Sequence, residues 1–101
     1  MKLDVYRYEA PDGSGPFYNL DGTSKNGGRN FPPDEYRCGN DSVESLKAWF
    51  NRFGMHPEQN GYEIVHYVVD LKDINCYNKD NGHITFSIHE IIEINYREEQ
   101  L

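Results

Sequence analysis

Histidine, cysteine, serine and acidic side chains are the groups in this chain that could do chemistry, and spacing restricts each of them. His56, His66, His83 and His89 supply enough imidazole for a metal site. No two of them lie one helical turn apart and no HExxH occurs, so a zinc centre is not expected. Cys38 and Cys76 stand far apart with no CxxC spacing. With no export signal at Met1-Lys2-Leu3-Asp4, reduced thiols are the expectation, and a single disulfide is the alternative. A Cys-His nucleophile would need one thiol beside a histidine, which sequence does not place. Ser14, Ser24, Ser42, Ser45 and Ser87 lie in no nucleophile-elbow context. Asn78-Lys79-Asp80-Asn81-Gly82 has the look of a calcium loop, but no Glu closes it at the required spacing. A β-turn is the simpler reading. Gly13-Ser14-Gly15 and Gly27-Gly28 match phosphate cradles only loosely, because neither completes GxGxxG or GxxxxGK[ST].

The elements that must position these groups follow from hydrophobic spacing. Leu3 to Tyr8 alternates, with Leu3, Val5 and Arg7 on one face and Asp4, Tyr6 and Tyr8 on the other. Residues 10–40 hold most of the Gly and Pro, so a long loop is expected, pinned by Phe17, Tyr18, Phe31 and Tyr36. Asp41-Ser42 can cap a helix over about 42–53, whose Val43, Leu46, Trp49, Phe50 and Phe53 form one apolar face. Glu44, Lys47 and Asn51 fall on the solvent side, and Gly54 and Pro57 stop the helix. Tyr62 to Asp70 is β-branched, aromatic and apolar on both faces, which predicts a central strand. Ile74 to Tyr77, Ile84 to Ile88 and Ile91 to Tyr96 supply further short strand patterns. The fold class expected is α+β: one domain over 1–101, with a small, mostly antiparallel sheet of four to five strands, one main helix and a frayed tail at 97–101.

Composition bounds the function. The chain has 101 residues, and 37% of them are hydrophobic. Aromatics reach 14%, so large rings must carry much of the core. Lys and Arg number 10 against 17 Asp and Glu, a net charge of −7. A chain that repels phosphate gains nothing from counterion release, so no direct nucleic-acid binding is expected. Anionic membrane surfaces are disfavoured for the same reason. No apolar run approaches the roughly 20 residues of a membrane span. The acidic surplus has two readings. One is a solubilising surface. The other is a face for a basic partner, supplied by Asp70, Asp73, Asp80, Glu90 and Glu93.

Val5-Tyr6-Arg7-Tyr8-Glu9 followed by Gly15-Pro16-Phe17-Tyr18 resembles the opening of ADP-ribosyltransferase-like domains. It also resembles small bacteriophage proteins that open in this way. In those a short helix like Ser45 to Phe50, a strand like Tyr62 to Val69 and a closing strand like Gly82 to Phe86 come next. The transferase resemblance implies that Arg7 anchors NAD and that Tyr18 or Tyr36 stacks on its nicotinamide ring. A guanidinium suits that task because it bonds ribose or pyrophosphate oxygens bidentately. The place of the family's catalytic Glu is held by Gly82 or His83, and Glu90 and Glu93 lie beyond it. His83 and Glu90 are therefore the catalytic candidates this resemblance leaves. Without it, Arg7 reads as a strand arginine paired with Asp4, Glu9 or Glu63.

The expected function is that of a small acidic phage-type accessory protein. It would bind a host or bacterial protein with a basic surface, such as a defence component, in the bacterial cytoplasm, and would need no cofactor. Two alternatives stand beside it. One is an NAD-binding, ADP-ribosyltransferase-like protein without the usual catalytic Glu. The other is a nucleotide sponge whose pocket is lined by Tyr6, Tyr8, Tyr18 and Arg7.

Overall fold

The computed structural model describes residues 1–19, 23–25, 27, 37–87 and 93–95, the last three by their backbone. Strand β1 (Lys2–Glu9) is followed in the chain by β2 (Arg37–Asn40) and helix α1 (Val43–Asn51). A single 3₁₀ turn, Pro57–Asn60, precedes β3 (Glu63–Asp70). A second, Leu71–Asp73, leads to β4 (Ile74–Asn78), β5 (His83–Phe86) and β6 (Glu93–Asn95). The strands form one sheet in the order β4-β5-β2-β1-β3-β6. Every neighbouring pair is antiparallel.

The α+β class and the single main helix agree with the sequence. Ser42 caps α1 by accepting from the Ser45 amide, at 3.0 Å. Such a cap satisfies one orphan donor and contributes about 1 kcal/mol. The expected helix over 42–53 is two residues longer at its C-terminal end than the observed one, and Gly54 takes the left-handed conformation just beyond. The Asn78–Gly82 turn forms as expected, with Gly82 at φ 76°, a conformation other residues reach only with strain. The sheet has six strands, because the last four residues of the stretch read as loop form β2.

The alternation of β1 separates two buried layers. On the helix side, Tyr8 and Ile64 meet Leu46 and Phe50, with Tyr6, Phe17, Trp49 and Tyr62 packed around them. On the opposite face Val5, Val65, Tyr67, Val69, Ile84 and Phe86 form the second cluster. Val5, Val69, Ile84 and Phe86 are fully buried. Each such side chain stabilises the fold by about 1.5–3 kcal/mol. The long pairing of β1 with β3, from Lys2↔Asp70 to Glu9↔Glu63, makes these two strands the frame on which both layers stand.

Candidate functional site

The side chains of β1 beyond Val5 build the first polar feature. Arg7 and Glu9 share the face of Val5, and both are only 6% exposed. Arg7 Nη1 donates to Glu9 Oε2 at 3.3 Å. Tyr67 stands opposite Val5 in β3 and reaches along the sheet, so that its hydroxyl donates to the same Glu9 oxygen. Burial, and then this bond to Glu9, pushes the Tyr67 pKa above its ordinary value. Gly15 packs directly on Arg7 Nη2. Arg7 Nε is buried with no hydrogen-bond partner among the described residues. Two more cations approach the same loop. Arg37 Nη1 donates to Gly13 O at 3.5 Å, and Lys25 Nζ donates to Ser14 Oγ at 2.8 Å and Tyr62 Oη at 3.0 Å.

On the helix face, sheet register lines up His66, Tyr6, Asn40 and His83 across four strands. His66 stacks on Tyr6 with ring centroids 4.5 Å apart, and its Nε2 lies 2.8 Å from Asp4 Oδ1. Asn40 is fully buried and donates to Ser45 O and Asn81 O, each at 3.3 Å. His83 lies flat against Trp49, with centroids 3.9 Å apart. Burial holds the His83 pKa below the ordinary imidazole value. A histidine so placed is neutral near pH 7 and sits in a ring stack rather than beside a nucleophile.

The C-terminal half of α1 carries an aromatic surface. Trp49 and Phe53 meet edge to face at 5.6 Å, and Phe17 from the loop meets Phe53 at 6.3 Å and Phe50 at 5.4 Å. Arg52 lies 5.2 Å from the Trp49 ring and 5.5 Å from Phe53. The spacing of Val43, Leu46, Trp49, Phe50 and Phe53 predicted one apolar face on a helix over 42–53. That expectation fails at its end: only Leu46 and Phe50 are buried, and Phe53 is 53% exposed. The helix stops at Asn51, so Phe53 leaves the row that packs on the sheet. On the other flank of α1 an open cleft of about 250 Å³ is lined by Tyr8, Lys47, Phe50, Asn51, Met55 and Glu58. At its floor the Tyr8 hydroxyl donates to Glu58 Oε2 at 2.5 Å. Lys47, read from the sequence as solvent-facing, is half-buried on the cleft wall.

The residues singled out from the sequence are spread over the molecule. Arg7 lies in the buried ion pair, and Tyr18 is half-buried in the loop, bridged to Ser24. Tyr36 and Glu90 lie outside the described residues, and Glu93 is described only as backbone in β6. Asp70 ends β3 and caps the following 3₁₀ turn, accepting from the Lys72 amide at 3.2 Å. Asp73 closes that turn at the start of β4, with its Oδ2 buried and unpartnered among the described residues. Asp80 sits exposed in the turn after β4. Asp73 and Asp80 are thus separated by the length of that strand. Among the described residues no three His, Cys, Asp or Glu side chains gather as a metal site, and Cys38 and Cys76 are free thiols. No helix of the described residues is long and apolar enough to cross a membrane.

Tyr67 and Glu58 carried no signal in the sequence, whereas Glu9 was one of the acids weighed as a partner for Arg7. The Tyr67 and Glu58 contacts span 58 and 50 residues: β1–β3 pairing brings Tyr67 to Glu9, and the Pro57–Asn60 turn brings Glu58 to Tyr8. No curated protein and no solved structure matches the chain. A family model matches from β1 through α1 to the closing strands: the family described as Bacteriophage T4 Y00F protein covers residues 1–94, and the chain belongs to that family of small phage-encoded proteins.

Proposed function

We propose that this phage protein acts by binding rather than turnover, engaging a bacterial host protein in the cytoplasm and modulating its activity. A defence component is the natural class of target. The observation that carries the reading is the exposed aromatic surface at the end of α1, where Phe53, Trp49 and Arg52 lie together. Trp, Tyr and Arg dominate interface hot spots, because they bury large rigid areas at low entropic cost. The net charge of −7 favours a partner with a basic surface and speeds its encounter. Affinity capture from bacterial lysate tests it. The wild-type chain enriches one host protein, and a Phe53→Ala/Arg52→Ala variant of unchanged stability loses it. Recovery of nothing above an unrelated acidic protein ends this reading.

A second reading, a nucleotide-binding protein or sponge of the ADP-ribosyltransferase-like kind, draws on one observation. Arg7, Lys25 and Arg37 converge on the Gly13–Gly15 turn in a chain otherwise dominated by acids. Calorimetric titration with NAD and ADP separates the two readings. Heat that disappears in Lys25→Ala supports it, and no heat with either ligand removes it.

A further inference from the structure

We propose that the cleft between α1 and the Pro57–Asn60 turn is the anchor subsite for one arginine side chain of the protein partner. The inference rests on the binding function above and names the chemistry that its contact takes. Cleft volume is the first support. About 250 Å³ is smaller than the 300–1,000 Å³ of ordinary small-molecule sites, and it suits a single long side chain. The lining is the second. Phe50 and Met55 offer apolar wall for an aliphatic stem.

The third support is the carboxylate. A carboxylate has about four lone-pair sites. Tyr8 occupies one of those on Glu58 from the buried side, which fixes the carboxylate against the cleft. A positioned carboxylate beside an apolar wall is what a guanidinium recognises, since its planar fork bonds two acceptors while its stem packs. Charge complementarity selects the sign of the guest: the chain is −7 overall, and the acid lies within the cleft. Lys47 stands on the wall as well, and its charge opposes a cationic guest. Glu58 and Lys47 therefore act in opposite directions, which makes the proposal testable without knowing the partner. The cleft is also continuous with the aromatic surface, because Phe50 lines one and stacks with Phe17 of the other.

The test titrates the full chain with N-acetyl-arginine amide, N-acetyl-norleucine amide and N-acetyl-glutamate amide. The readout is the methyl resonance of Met55, one of only two methionines in the chain. The arginine derivative shifts that methyl saturably, and the other two bind at least about fivefold more weakly, as expected for a charge-assisted hydrogen bond. Glu58→Gln weakens the arginine derivative by about five- to tenfold, and Lys47→Ala strengthens it about two- to threefold. Tyr8→Phe keeps the core ring and releases the carboxylate, and it weakens binding less than Glu58→Gln does. Thermal melts of each variant exclude unfolding as the cause. Equal binding of norleucine and arginine, stronger binding of glutamate, no shift with any probe, or a Lys47→Ala effect of the same sign as Glu58→Gln each overturns the proposal. A negative titration beside a successful host capture removes this subsite and leaves the binding function standing.

Discussion

Replacing Glu9 by Gln isolates the buried charge on the sheet. Glutamine keeps an acceptor oxygen for Tyr67 and nearly the same volume, but it leaves Arg7 without its counter-ion. Both members of the pair are 6% exposed, so water does not screen the orphaned guanidinium. Breaking one side of such a pair costs about 3–5 kcal/mol. A domain of this size has on the order of 5–15 kcal/mol in total, so the variant folds but is much weakened. At about 4–8 °C per kcal/mol, the melting temperature falls by about 12–40 °C. Trp49 is the sole tryptophan and stacks on His83, so its fluorescence reports unfolding in urea as well as heat. Arg7→Met/Glu9→Gln removes the stranded charge and recovers to within about 1–2 kcal/mol of wild type. A loss below about 1 kcal/mol for Glu9→Gln alone would refute the reasoning, because it would mean that water reaches Arg7.

Gly39→Ala places a Cβ 2.6 Å from Tyr6 O and 2.7 Å from Val5 Cγ1, so backbone must move and stability falls by about 1–3 kcal/mol in urea titration. Tyr8 and Tyr67 both have pKa values raised, mainly by burial. The unfolded chain ionises these phenols near their ordinary pKa of 10 and the folded one does not, so their stabilisation is complete below pH 10 and is lost as pH rises above it. Each contributes a slope of up to about 1.4 kcal/mol per pH unit. Melts between pH 9 and about 11 therefore show a steep decline, which Tyr67→Phe makes shallower.

The helix, its Ser42 cap and the two faces of β1 were legible because local spacing alone sets them. Strand β2 was not. Arg37-Cys38-Gly39-Asn40 has no β-branched residue, and its extended form comes from its partners β1 and β5. Gly39 is needed there because Val5, Tyr6 and Arg7 press against it, a contact that no local pattern encodes. For Arg7 the alternation predicted the face correctly but not that the face is covered. Pairing with Glu9, one of the acids weighed for it, is what the structure shows, as a buried pair rather than a surface one. Phe53 was misread for the reverse reason. Its spacing continues the apolar row, but the helix ends two residues earlier and leaves the ring on the surface.

Photo-crosslinking from the aromatic surface tests the binding account most directly. A benzophenone amino acid replaces Phe53, and a second chain carries it at Asp80, which is exposed in the β4–β5 turn. Both are expressed in bacteria, irradiated and resolved by mass. The account predicts one discrete adduct with a host protein from position 53, lost when Arg52→Ala is added, and little or none from position 80. Equal, diffuse adducts from both positions, or none from position 53, would contradict it.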